Sequence, residues 1–462
     1  MKHVFAGIFL ALCAMSLVAW AWSPREEAGG TVLVWSTDDN PGRRGVIELF
    51  RRLHPEVEVR VDPNNTGLAK VIVQSLAGVG PDLFDCPSPT VLDAFVRSGV
   101  AWDCDAELRA RGIRPEDWWP SSRSSCVHEG RMYGHPYNSG TRAIWFHKDL
   151  FDEAGVPYPK PGWTWQDFVE TSRRMTRNDA RGRIVRFGMV GDWDCGNTLV
   201  QWGAPAFTPE GTRSEWDSPQ AAEAMQFMQD LIYRHHALPT STEQAAMSAQ
   251  GGYAGGTLTQ FTAKRCAMAF AGRWWMSVLS DPSYKDLRLG FAQAPRGPRD
   301  AVLGGAKGIL VNARSRHREA ALDFVAFLHS REFNELIDLQ GDGLGSVPAF
   351  VTSDPCLRRS SPPMEDDSRV WVEEMARAVP GESSPFVNGN RVDDIFIRQG
   401  GLVGVALKDG AAAMRDAARE VNLSILEQLD ADPTLRPRYL EALSRGARPA
   451  WEEGQAPPWA RR

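Results

Sequence analysis

The sequence predicts an α/β chain folded as two lobes, each a mostly parallel sheet flanked by helices, and three observations carry that expectation. Short β-branched runs alternate with amphipathic helical stretches from Thr31 onward, the order that builds parallel sheets. The length of 462 residues exceeds what one ordinary core supports. The stretch Gly130–Phe151, GRMYGHPYNSGTRAIWFHKDLF, sets a polar connector between two apolar runs, as in a chain leaving one core and entering another.

Thr31–Trp35 reads as the first strand. Val46, Leu49, Phe50 and Leu53 then share one helical face, and Val57, Val59 and Val61 alternate with Glu58 and Arg60 as in a strand. Leu68, Val71, Ile72 and Leu76 form a second helical face, stopped by Gly78 and Gly80-Pro81, and Asp82–Cys86 returns as a third strand. In such βαβαβ sheets ligands meet the loops at the carboxyl ends of the strands, here Ser36–Asn40 and Cys86–Ser88. In the opening stretch Arg131–Tyr133 is a short strand, Pro136 extends the backbone of His135, and Ala143–Phe146 is a buried strand. Thr164 with Asp167 resembles a capping box, and Ser218-Pro219 starts a helix with the face Ala221, Ala224, Met225, Met228, Leu231 and Ile232. Cys266–Phe270, Leu287–Ala294 and Ile309–Val311 read as strands, and Val370–Arg377 and Gly410–Leu429 as helices. Gly341–Pro348 is a glycine-rich loop or hinge, and the tail from residue 446 is expected to be disordered.

Composition narrows the function. A net charge of −6 disfavours a nucleic-acid-binding surface. Seventeen Trp residues exceed what a core of this size needs, and indoles suit ligand stacking as well as packing. Lys2 and His3 precede an apolar run, Val4–Trp22, with Ala19-Trp20-Ala21 as a signal-cleavage pattern, so residues 1–21 are expected to be a signal peptide or an anchor, and the chain to be exported. Leu12 is too large for the residue before a lipidated Cys13. In an oxidising compartment Cys104 and Cys126, flanking one polar excursion, are the expected disulfide.

Enzyme motifs are missing: no dinucleotide or phosphate loop, no HExxH, no GxSxG. His235-His236 are adjacent and share no helix face for a metal. Gly304–Gly308 is glycine-rich without the Lys-Ser/Thr ending of a phosphate loop. Asp38-Asp39, or Asp194, keep open a secreted carbohydrate hydrolase using paired carboxylates.

Several pieces in order, Val32–Trp35, Pro81–Phe84, Gly130–Pro136, Trp145–Phe151, Trp163–Trp165, Asp217–Pro219, Ala267–Trp274, Gly304-Gly305 and Ala320–Phe327, span most of the chain. Through them the sequence resembles the extracellular solute-binding proteins of carbohydrate ABC importers, the maltose-binding-protein-like class. The resemblance implies a periplasmic-binding-protein fold with a multi-crossover hinge: residues 31–137 with 267–340 as one lobe and 138–266 with 341–445 as the other. It implies ligand contacts at Thr37, Asp38, Asp39, Asn40, Cys86, Ser88, Tyr137, Asn138, Ser139, Trp193, Asn197, Trp202, Trp274 and Gly305. Cys86-Pro87-Ser88-Pro89 replaces the aromatic and charged residues that the class uses for maltose after the third strand. The implied function is capture of a sugar or polyol for ABC permease subunits, without cofactor or metal, by a monomer that meets the membrane only through its N-terminal segment or the permease. Arg273 and Lys307, if they face the ligand, open a phosphorylated or acidic polyol as the alternative. An anchored lectin-like or sensor component is a further reading, resting on the apolar N-terminal segment.

Overall fold

Ten strands form one mixed sheet. The computed structural model describes residues 30–182, 184–191, 195–247, 255–360, 362–452 and 454–460. The expected signal segment, Cys13, Trp193 and Asp194 therefore lie outside the described residues.

In chain order the elements that matter are β1 (Thr31–Ser36), α1 (Gly42–Leu53), β2 (Val57–Val61), α2 (Leu68–Leu76), β3 (Leu83–Cys86), α3 (Pro89–Arg97) and β4 (Gly134–His147). There follow α4 (Trp165–Met175), β5 (Arg177–Asn178), β6 (Ile184–Gly191), α5 (Cys195–Trp202), α6 (Pro219–Tyr233), β7 (Cys266–Gly272), β8 (Leu289–Ala292) and β9 (Val302–Val311). The last are α7 (Arg318–Phe327), α8 (Arg331–Gln340), β10 (Ala378–Val379), α9 (Gly389–Gly404) and α10 (Gly410–Ala431). The sheet runs β2-β1-β3-β9-β4-β7-β6-β5, with β8 on β4 and β10 on β9. The expected βαβαβ unit is present, with β1 parallel to both β2 and β3. In the other half β6 and β7 are parallel, and the strands that join the halves pair antiparallel.

Local chemistry sets the helix starts. The Ser88 hydroxyl accepts from Val91 N and Pro89 occupies the first turn of α3. Thr164 and Asp167 form the expected capping box of α4, and the Ser218 hydroxyl accepts from Ala221 N at the start of α6.

The connector expected within Gly130–Phe151 is itself strand. β4 runs unbroken for 14 residues, bonded to β9 through Thr141 and to β7 from Arg142. Pro136 cannot donate to a ladder, and the register of β9 shifts between Lys307 and Gly308 opposite it. Backbone contact at the strand's start is close: a β carbon on Gly134 would sit 1.9 Å from the carbonyl oxygen of Ile309. Gly134→Ala is therefore expected to lose about 1–3 kcal/mol, read as a lower urea midpoint at unchanged m-value.

Buried side chains gather on either side of this strand. Trp35, Phe50, Phe84 and Phe95 pack with Ile309–Val311, Phe324 and Phe333 in the first half. Ile144, Phe146, Phe168, Met189 and Met268 form the second, which continues into a helical layer of α6, α9 and α10 around Met225, Val421 and Ile425.

Three expectations are corrected. The return crossing does not occur at residue 267. β7 is wholly buried and pairs with the second half of β4 and with β6, so residues 266–292 pack in the second half, and β9 carries the chain back. Cys104 and Cys126 are free buried thiols rather than a disulfide: the Cys104 thiol turns to the Met132 carbonyl at 3.5 Å and Cys126 lies against the Ser125 hydroxyl at 3.7 Å. The described residues of the tail are held by its aromatics, since Trp451 and Trp459 pack on Tyr439, whose hydroxyl accepts from Ala450 N.

Glu374, fully buried in the second half, accepts from Ala294 N at 3.0 Å and Arg377 Nη2 at 2.6 Å. Burial outweighs these donors and raises its pKa to about 7. A carboxyl whose folded pKa is raised contributes stability that is complete below its unfolded pKa and is lost as pH rises through about 7. Glu374→Gln should therefore gain on the wild type between pH 5 and pH 8, by on the order of 2 kcal/mol, in paired thermal melts.

Candidate functional site

Where β4 changes partners, the two halves enclose a cleft of about 390 Å³. Its wall is built from the loops after β3, the middle of β4, β9, the turn Asp342–Gly343 and the end of β7. The expected residues Ser88, Asn138, Ser139, Asn197, Trp274 and Gly305 meet there. Asn197 is held by Leu303 N, which donates to its Oδ1 at 2.8 Å. Ser139 is buried among hydroxyls, 2.7 Å from Ser122 Oγ and 3.1 Å from Ser346 Oγ. Trp274 is half-buried, and its indole depends on a bare neighbour: a β carbon on Gly272 would lie 2.4 Å from Trp274 Cδ1.

Under the cleft lies an ionic network. Arg43, only 3% exposed, donates to Asp342 at 2.7 Å, to Asp38 at 2.9 Å and to the Tyr137 hydroxyl at 2.9 Å. Its guanidinium also stacks on the Tyr137 ring at 4.6 Å. The Lys307 ammonium bonds Asp38 and lies 3.2 Å from Asp85. Burial raises the Asp38 pKa, but Arg43 and Lys307 overcome it and hold the carboxyl below the ordinary carboxylate range. Burial likewise works against the Lys307 charge, and Asp85, with Asp38, overcomes it and raises the ammonium's pKa. Asp342 also takes Asn40 Nδ2 at 2.8 Å and Asn138 Nδ2 at 3.2 Å, so it ties the loop after β1 to the crossing strand.

Several expected contacts fall to this framework instead of the cleft wall. Thr37 is fully buried and donates to Asp85 at 2.6 Å, Tyr137 is fully buried under Arg43, and Asn40 is held by Asp342. Cys86 is buried with its thiol turned to the Ser88 carbonyl, and burial pushes that thiol's pKa up. Trp202 packs on Phe227 at 4.7 Å, in the second half. Asp38 and Asp39 border a separate surface hollow with Arg44 and Glu48. Arg273 reaches the cleft wall, yet its guanidinium is spent on the carbonyls of Gly343 and Asp338.

The residues missed from sequence include Thr141, Arg142, Ala306, Asp342 and Gly343. The glycine-rich run Gly341–Pro348 was the available signal. Leu344 exchanges both backbone hydrogen bonds with Ser139 at 2.8 Å, making this run a third segment beside the crossing. Among the described residues no cluster of three or more metal-ligating side chains is present, and no helix is long and apolar enough to cross a membrane.

The fold has many relatives. In solved structures, an ABC substrate-binding protein from Listeria monocytogenes in complex with cycloalternan superposes with a TM-score of 0.72 at 20% identity, covering 86% of this chain and 99% of that one. UgpB from Mycobacterium tuberculosis in complex with glycerophosphocholine gives 0.67 at 16% identity, covering 87% and 99%. These likenesses establish the two-lobed binding-protein architecture. In sequence, the mannitol-binding protein of Pseudomonas aeruginosa is 24% identical over 431 residues, 85% of this chain and 92% of its own length. The galactooligosaccharide-binding protein of Bacillus subtilis is 20% identical over 408 residues, 83% and 88%. The pattern of the family described as bacterial extracellular solute-binding protein matches residues 35–335, and the chain belongs to that family.

Proposed function

We propose that the chain is the extracytoplasmic solute-binding component of an ABC importer and takes a sugar or polyol into the cleft between its halves. The carrying observation is the cleft wall: hydroxyls of Ser88, Ser139 and Thr141, the amides of Asn138 and Asn197, and the half-buried Trp274 converge from both halves. Hydroxyl arrays suit such donors and acceptors, and the C–H faces of a sugar suit an indole. Relatives named for mannitol and for galactooligosaccharide favour the same class. The volume, near the lower end of the ~300–1,000 Å³ common for ligand pockets, favours a small solute.

In this reading the solute touches both lobes only when they are closed and so raises the closed population. Permease subunits read that closed form, and the transporter, not this chain, hydrolyses ATP. The protein acts as an exported monomer. The hydrolase reading finds little support at Asp38, whose lowered pKa and two cationic partners suit neither a general acid nor a free nucleophile.

The test is a thermal-shift screen against mannitol, sorbitol, arabinose, maltose, maltotriose and galactosyl oligosaccharides, with each hit checked by calorimetry and for products. A solute at 100 times its dissociation constant should add about 2.7 kcal/mol without turnover. No shift anywhere in the panel overturns the sugar assignment, and released monosaccharide overturns the pure binding role.

A further inference from the structure

We propose that Gly140 and Gly305 are specificity-determining residues of this cleft: they keep a bare backbone floor beside Trp274, against which the carbon face of the solute lies. Their role rests on the sugar-binding reading above and deepens it.

Within β4 only Asn138, Gly140 and Arg142 are partly exposed, and they alternate with buried neighbours, so these three share the sheet face that looks into the cleft. Across from them on β9, Lys307 stands opposite Asn138 and Gly305 opposite Gly140. Arg142 pairs on its other side with Gly272 of β7, whose missing β carbon makes room for the Trp274 indole. Gly140 therefore lies one diagonal from Gly272, about 7–8 Å between neighbouring strands. The Asn138–Lys307 pair stands about 7 Å away along the strands in the other direction. Between an indole and an amide–ammonium pair, the floor is a patch without side chains. Among the described residues nothing asks for glycine at either position. Neither backbone lies in the left-handed region, and the register shift of β9 falls further along, between Lys307 and Gly308. A β carbon on Gly140 would meet no atom of the described residues within 4 Å, and one on Gly305 only the Ser121 carbonyl oxygen at 3.8 Å, an ordinary contact. Gly304, by contrast, is fixed by packing, since its β carbon would lie 2.6 Å from that of Ala378. Bending of the strands does not require glycine either, because Ser139, Thr141 and Ala306 carry side chains in the same span. A glycine inside a strand weakens it, and where no turn, bulge or packed neighbour accounts for one, the close approach of a ligand does. Alanine at either place would stand a methyl group in the cleft where the solute otherwise reaches the peptide plane.

The test pairs urea unfolding of the unliganded chain with calorimetry, the probe being whichever of mannitol, sorbitol, arabinose, maltose, maltotriose and galactosyl oligosaccharides binds the wild type most tightly. Gly140→Ala and Gly305→Ala should each keep or raise the urea midpoint, because alanine fits both places and narrows the unfolded ensemble. Each should weaken the probe by at least about tenfold, the scale of one misplaced methyl group in a pocket. Gly304→Ala should instead lower the midpoint. Unchanged affinity in either folded variant overturns the proposal and leaves the sugar reading standing. A lowered midpoint in either variant gives its glycine a structural reason and overturns the proposal as well. A wild type that binds nothing in the panel sinks the sugar reading and takes this one with it, an outcome recognised before any variant is made.

Discussion

Replacing Asp342 by alanine should cost about 1.5–3 kcal/mol of folding stability, the range for losing hydrogen bonds to a charged group. Arg43 and Asp342 have side chains only 4% and 5% exposed, so the guanidinium would keep Asp38 and the Tyr137 hydroxyl but find no water in place of the lost carboxylate. The substitution also strips partners from Asn40 and Asn138, at two of the places where the first half grips the crossing strand. Urea unfolding followed by far-UV circular dichroism measures it. Asp342→Asn, which keeps an acceptor of the same shape, should lose distinctly less. Equal losses from the two would mean that shape rather than charge holds the network together.

Trp274→Ala should weaken solute binding about a hundredfold while leaving the unliganded protein folded. Buried aromatic anchors in ligand and protein interfaces commonly carry 2 kcal/mol or more, and a half-exposed indole at the cleft wall is placed for that role. Trp274→Phe, which keeps a ring face, should retain most of the affinity. Calorimetry with whichever panel solute binds the wild type decides it. Unchanged affinity in the alanine variant would remove Trp274 from the site. Gly272→Ala should also weaken binding, because its methyl would displace the same indole at the cleft wall.

Much of the fold was legible because short-range patterns wrote it. The alternation of Val57, Val59 and Val61, the Thr164–Asp167 capping box and the Ser218-Pro219 start all correspond to elements of the structure. Periodicity misled where a helix outruns its core. Leu53 and Leu76, read on the apolar faces of their helices, are 55% and 51% exposed, while Arg43 of the first of those helices is buried. No local rule predicts that, because beside the nearby Asp38 its partner Asp342 lies 299 residues away. The loop after β3 reaches the cleft through Pro87 and Ser88, as the rule that ligands meet strand carboxyl ends expects, whereas the loop after β1 is tied into the network beneath it. Which of their side chains face inward was not readable: Thr37 and Tyr137 became framework because charged partners from distant segments claimed them. The return at residue 267 failed for a related reason. A buried apolar strand such as Cys266–Gly272 fits either half equally well by composition, and only pairing decides.

The unbroken β4 has a mechanical consequence. Its ladder partner changes between Thr141 and Arg142, so bending of one half against the other is concentrated in a span of very few peptides. There Gly140 stands opposite Gly305 and Thr141 opposite Gly304, a place poor in bulky side chains that would jam a twist. The strand behaves as a leaf spring clamped at both ends rather than as a loose tether. Any bending there would work against the ladder bonds on either side of that span.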